Sequence, residues 1–158
     1  MGLLRLWRRG QKIMYHHILI ATDGSELSNR AVEHGVNLAR SVGAKVSFLT
    51  VTQPFHVSSL AVDQLEDTRS EYEKHMKERA KRILSAAGEI ASATSIRFDK
   101  MHREADQPHE CIISVADSHR CDLIVMGSHG RQGASAVMLG SVTMKVMAHT
   151  RRPVLVVR

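Results

Sequence analysis

Gly127-Ser128-His129-Gly130 follows directly on the apolar run Leu123-Ile124-Val125-Met126, and nine residues separate Gly130 from Gly140-Ser141. Gly140 and Ser141 stand at the head of a stretch compatible with a helix. An apolar strand, a loop of bare backbone and a helix start are the parts of a phosphate cradle. Glycine lets the backbone approach an anion closely and take positive φ. A helix start adds unpaired N–H groups and the positive end of the helix dipole. The arrangement points to a phosphorylated ligand, a nucleotide above all. A second chemical group, Asp23-Gly24-Ser25, closes the apolar run His17-Ile18-Leu19-Ile20-Ala21. Its carboxylate can hold a metal bound to phosphate or cap the next helix, since Glu26 stands at capping-box spacing.

The loop is neither of the common phosphate motifs. A P-loop needs G-x-x-x-x-G-K followed by Ser or Thr, and no Lys-Ser or Lys-Thr pair follows Gly127 at that distance. A dinucleotide fingerprint needs G-x-G-x-x-G after the first strand. Here the glycines run 127, 130 and 133, after the fourth apolar block. His129 sits in the loop with no neighbouring acid to make it a general base, so its backbone N–H counts for more than its imidazole. Arg131 reads as a solvated loop charge or a phosphate contact, Thr143 as a helix residue, and Lys145 as solvated or packed. The 10 histidines form no H-E-x-x-H or H-x-x-E-H pattern, which argues against a metal centre built from protein ligands alone.

The elements that must carry these residues alternate along the chain. His17–Ala21 reads as a strand buried on both faces. Leu27, Ala31, Gly35, Leu38, Ala39 and Val42 follow at helical spacing, with Gly43 where a helix stops. Val46, Phe48, Leu49 and Val51 form a second strand, closed by Pro54. A long amphipathic helix carries Leu65, Tyr72, Met76, Ala80, Ile83, Leu84 and Ala87 on one stripe and a densely charged, solvated face opposite. Ile96, Phe98 and Met101 belong to a third strand, whose polar alternation with Arg97 and Asp99 suits a sheet edge. Asp106 and Pro108 open another helix; Asp122–Met126 is the fourth strand, Gly140–Ala148 a helix and Pro153–Val157 the last strand. Five strands separated mostly by helices imply an α/β fold, a parallel sheet with helices on both faces. Ligands of such sheets bind beyond the carboxyl ends of strands. Asp23, Val51 and Gly127 all lie at such ends.

Bulk properties agree with one domain. The chain has 158 residues, 43% of them apolar and 24% charged. With only 4% aromatic residues, the core falls to Val, Ile, Leu, Met and Ala. No apolar run is long enough to span a membrane. Cys111 and Cys121 form no C-x-x-C pair and read as reduced thiols of a cytoplasmic protein. Arg5, Arg8, Arg9 and Lys12 belong to residues 1–13, which contain no acid; setting those four aside lowers the formal charge from +6 to +2. Residues 1–13 therefore read as a basic, disordered extension, and 14–158 as the domain. The balance of charge gives no reason to expect DNA binding.

The spacing G-x2-G-x9-G followed by Ser, with Ile18-Leu19-Ile20-Ala21-Thr22-Asp23-Gly24-Ser25, Asp122–Gly130, Gly140–Thr143 and Arg152–Val157 in the same order, closely resembles the universal stress protein family. The resemblance covers about Met14 to Arg158. It implies a doubly wound five-stranded parallel sheet of order 3-2-1-4-5, and ATP binding in members that keep these glycines. By that resemblance Gly127, Gly130, Gly140 and Ser141 hold phosphates and ribose, helped by Met126, Ser128, His129, Arg131 and Val142. Asp23 matches the acidic position near the phosphates and a Mg2+ or Mn2+ ion. Ala21 and Val51 border the adenine, Val51 through backbone hydrogen bonds. The resemblance also implies a homodimer through Val154–Val157. The expected function is an ATP-binding, stress-response regulatory protein with at most slow hydrolysis, for neither a general base nor a phosphate-clamping lysine is evident. The alternatives are an adenine-nucleotide-dependent enzyme, or a scaffold that binds protein partners.

Overall fold

The computed structural model describes residues 14–56, 62–129 and 139–158, with side chains of the stretch 62–67 left aside. Its strands are β1 (His17–Ala21), β2 (Lys45–Thr52), β3 (Phe98–Glu104), β4 (Leu123–Gly127) and β5 (Val154–Val157). Its helices are α1 (Glu26–Val42), α2 (Val62–Ser92), α3 (Pro108–Ser118) and α4 (Ser141–His149). All pairings are parallel and the order is β3-β2-β1-β4-β5. The α/β fold and its doubly wound order thus match what the sequence and the resemblance imply.

Every residue of β1 and of β4 is buried, as strands covered on both faces must be. On one face Ile18, Ile20, Val46, Phe48 and Val125 pack with Ala31, Val32, Val36 and Ala39 of α1 and Leu84, Ala87 and Ala91 of α2. On the other, Leu19, Leu49, Met101, Ile124 and Met126 pack with Ile112, Val115 and Ala116 of α3 and Val146 of α4. Period-2 alternation along each strand divides its side chains between the two cores.

Several boundaries differ from the sequence reading by a residue or two. Ile96 precedes β3 and packs against the core from the loop. Asp122 lies just before β4, where its carboxylate accepts the N–H groups of His16 (2.8 Å) and His17 (3.1 Å). Burial pushes that carboxyl up, but the hydrogen bonds outweigh it and hold it below its ordinary value. Gly140 is the N-cap of α4 rather than its first residue, and Pro153 precedes β5, its carbonyl accepting from Ile124 N. The cap of α1 is Ser25, not Asp23: Ser25 Oγ accepts from Ser28 N. Asp23 Oδ1 accepts from Ser25 N at 3.0 Å, an Asx-type turn ahead of the helix. Gly43 ends α1 with φ 74°, the left-handed C-cap expected of it.

Candidate nucleotide site

β1 and β4 turn away from the sheet at Ala21 and Gly127 while β2 runs on to Thr52. The chain thereby leaves a cavity of about 520 Å³ beyond their carboxyl ends. Ala21, Leu49, Val51, Met126 and Ile112 give it an apolar floor. Gly140, Ser141, Val142 and Thr143 bring the start of α4 to its wall, and Asp23, Gly127 and His129 lie on the same wall system.

Val51 is placed by strand parity. Thr22 N donates to Leu49 O at 2.9 Å, so Leu49 directs its backbone groups toward β1. Val51, two residues on, directs its N–H and C=O the same way, past the point where β1 has ended. The Thr22 carbonyl accepts instead from Thr50 Oγ1 at 2.9 Å. Val51 therefore presents a donor and an acceptor, side by side, along the cavity wall.

Gly127 has a packing requirement of its own. A Cβ there would stand 3.0 Å from Leu27 C and 3.1 Å from Ser28 N, backbone atoms of the first turn of α1. Bare backbone at this position lets β4 and α1 close together. Thr143 Oγ1 donates to Gly127 O at 2.9 Å and anchors α4 to the same point, so Thr143 is a buried helix residue as expected. Ser128 stands behind the wall: it is buried, its N–H donates to Val157 O and its carbonyl accepts from Gly140 N, both at 2.7 Å. Its role is to fix the two glycines relative to β5. Gly130 and Arg131 lie outside the described residues.

The start of α4 has no side-chain cap. Its first N–H groups meet no partner among the described residues and lie next to the cavity, with the positive end of the helix dipole behind them. Two side-chain nitrogens on the cavity wall are also buried without a hydrogen-bond partner among the described residues: His129 Nε2 and Arg79 Nε. The His129 ring is held by its other nitrogen, Nδ1, 3.1 Å from Ser128 Oγ. An unmet buried donor such as Arg79 Nε costs about 1–3 kcal/mol, which a ligand carrying acceptors relieves.

The sequence reading missed the contribution of α2. Tyr72, Met76, Arg79 and Ile83 line the cavity, while Ala80, Leu84 and Ala87 enter the core. At 3.6 residues per turn the first four fall within a sector of about 60°. The single stripe inferred from apolar residues is two adjoining faces, one toward the core and one toward the cavity. Tyr72 Oη donates to Gln53 O at 3.0 Å and its ring lies 5.4 Å from that of Phe55, which ties α2 to the end of β2. At the rim Thr52 Oγ1 lies 2.7 Å from His102 Nε2, and burial lowers the pKa of that imidazole. Among the described residues no group of three or more His, Cys, Asp or Glu side chains could hold a metal ion.

Comparison with known proteins decides the family. Residues 14–158 match the model of the universal stress protein family. The chain belongs to that family. Universal stress protein YxiE of Bacillus subtilis is 32% identical over 149 residues, covering 92% of this chain and all of YxiE. The solved structure of MJ0577, a universal stress protein of Methanocaldococcus jannaschii, superimposes with a TM-score of 0.74 at 28% identity, covering 91% of this chain and 96% of that one. A universal stress protein crystallised in complex with cAMP superimposes with a TM-score of 0.68 at 26% identity, covering 92% and 98%. No helix among the described residues is long and apolar enough to cross a membrane.

Proposed function

We propose that this universal stress protein binds an adenine nucleotide, ATP in the cell, in the cavity at the carboxyl ends of β1, β2 and β4. The observation that carries this reading is the division of that one cavity. Its floor is apolar with the backbone donor and acceptor of Val51 directed along it, and its wall gathers the start of α4, which has no side-chain cap, with two buried side-chain nitrogens that have no partner among the described residues. A flat heterocycle suits the first part and a phosphate the second. The relative bound to cAMP supports the adenine-nucleotide class.

In this reading Ala21, Val51 and Met126 border the adenine. Gly127, Gly130, Gly140, Ser141 and Val142 offer backbone to phosphate and ribose, with His129 and Arg131 beside them. Ser128 positions the loop from behind. Asp23 has a carboxylate oxygen tied to Ser25 N and turns toward the same space. With so few protein carboxylates at hand, a Mg2+ or Mn2+ ion here takes most of its oxygen ligands from phosphate and water, with Asp23 as the protein's share. Such an ion supplies charge neutralisation to the phosphates. Among the described residues His129 is the imidazole on the cavity wall, and its Nδ1 is engaged by the buried Ser128 hydroxyl behind that wall, so in this reading binding is the function and hydrolysis is at most slow. The protein works in the cytoplasm as a homodimer joined through Val154–Val157.

Calorimetric titration of ATP with Mg2+ tests the reading. The wild type gives one saturable site per chain and Gly140→Val abolishes it, since a branched side chain at the α4 cap fills the anion site. ATP at 100 times Kd raises folding stability by about 2.7 kcal/mol, seen as a higher Tm. No saturable heat and no shift in Tm at millimolar ATP overturns it.

A further inference from the structure

Arg79 is unlike the other arginines of its helix. Arg69 on the same helix pairs with Glu73, one turn away, at 2.8 Å, and both are solvated. Positions one turn either side of Arg79 hold His75, Met76, Arg82 and Ile83, so α2 gives it no acid. No carboxylate among the described residues forms an ion pair with it. Yet its Nε is sealed from solvent and has no hydrogen-bond partner among the described residues, on the wall of the cavity and at the middle of the stripe Tyr72, Met76, Arg79 and Ile83. A guanidinium nitrogen sealed from water without a partner is a costly arrangement that an acceptor relieves, and the rest of the fork lets that acceptor be planar and bidentate.

Its place along α2 says which part of a ligand it meets. Ile83 packs on the loop after β1, its Cγ1 2.8 Å from where a Cβ on Gly24 would stand. Tyr72 bonds to Gln53 at the end of β2. At about 1.5 Å per residue, Arg79 lies about 6 Å along the axis from the first contact and about 10 Å from the second. It therefore stands nearer the Asp23–Gly24 loop than the Val51 end, where the base would lie.

We propose that Arg79 is a phosphate-binding residue of this site, and that it makes affinity rise with the number of phosphates on the nucleotide. The inference rests on the nucleotide-binding reading above and adds to it a specificity-determining side chain from α2. Arg79 and the α4 start line the same cavity, so a phosphate chain that reaches both receives a charge-assisted fork from α2 and N–H groups from the α4 start.

Calorimetric titration of ATP, ADP, AMP and adenosine into wild type, Arg79→Met and Arg79→Lys tests the proposal. Wild type is expected to bind in the order ATP, ADP, AMP, adenosine. Arg79→Met should lose about tenfold or more in ATP affinity and less than about twofold for adenosine, with Arg79→Lys in between for ATP. The melting temperature of ligand-free Arg79→Met should equal or exceed that of wild type, because an unmet buried donor is removed; a purely structural arginine gives the opposite sign. Equal losses for ATP and adenosine, or unchanged ATP affinity, overturn the role of Arg79 while leaving the nucleotide site standing. A wild type that binds none of the four overturns the nucleotide reading itself and this inference with it.

Discussion

His17 shows what a titratable side chain does at the end of a buried strand. The pair His16-His17 reads as surface or strand-end residues; His16 is exposed and His17 opens β1, buried as the rest of that strand is. His17 is 4% exposed, with Nε2 2.7 Å from Ser47 Oγ and Nδ1 3.0 Å from His119 O. Burial, with Lys45 adding to it, lowers its pKa from the ordinary 6.5. The folded state therefore holds the neutral ring at pH values where the unfolded chain is already protonated. Stability from this group is complete above 6.5 and is lost as the pH falls below 6.5 toward the folded-state value. Urea unfolding between about pH 7.5 and 5.5 should show stability falling with pH, and His17→Gln should flatten the fall, leaving the part that belongs to His102. An unchanged slope in His17→Gln would show that the ring titrates normally. The contrast with Arg79 is instructive. Both are polar side chains whose importance comes from enclosure, and enclosure depends on which neighbours the fold supplies. Asp23, Gly140 and Ser141, which line the cavity, were legible as candidates because their types and spacing express local backbone chemistry. Arg79 was not, since it sits in a helix rich in charge and its sequence neighbours say nothing of the wall it joins.

At the scale of elements, much was legible for physical reasons that act locally. The run His17–Ala21 is too apolar for anything but a two-sided burial, and Gly43 with φ 74° stops α1 where the residue type predicts. The long helix was legible as a helix but not in its division of labour, because Tyr72, Met76 and Ile83 are apolar whether they face a core or a cavity. The glycine at 127 has a similar double meaning. A ligand cradle and close packing on α1 both ask for bare backbone there, and the distances to Leu27 and Ser28 show that packing alone suffices. Gly127→Ala should therefore destabilise the ligand-free protein by about 1–3 kcal/mol, since the contacts are backbone atoms that cannot rotate away. Urea unfolding without nucleotide measures it. A variant as stable as wild type but unable to bind ATP would reassign this glycine wholly to the ligand.

At the scale of the whole molecule, the two edges of the sheet are built differently. The edge strand β3 carries exposed Asp99, Lys100, Arg103 and Glu104, charges that deter pairing with another chain. The other edge, β5, is Val154-Leu155-Val156-Val157, with no charge within it. Leu155 is 38% exposed, and the preceding helix α4 exposes Met144 (47%) and Met147 (48%). An unguarded apolar edge strand is a liability in a monomer unless something covers it. A second copy of the same chain, adding β5 to β5 about a twofold axis, covers both copies at once, which is why the proposed homodimer is assigned to this edge rather than to β3. Sedimentation of the wild type at micromolar concentration should give a dimer. Leu155→Arg should give a folded monomer, because the new charge would face its own copy across the axis. Its ATP affinity should stay within about twofold of wild type, since β5 lines no part of the cavity. A wild type that sediments as a monomer rejects the β5 interface outright. A Leu155→Arg variant that remains dimeric moves the interface elsewhere on the molecule, with the charged β3 edge the least suited to receive it.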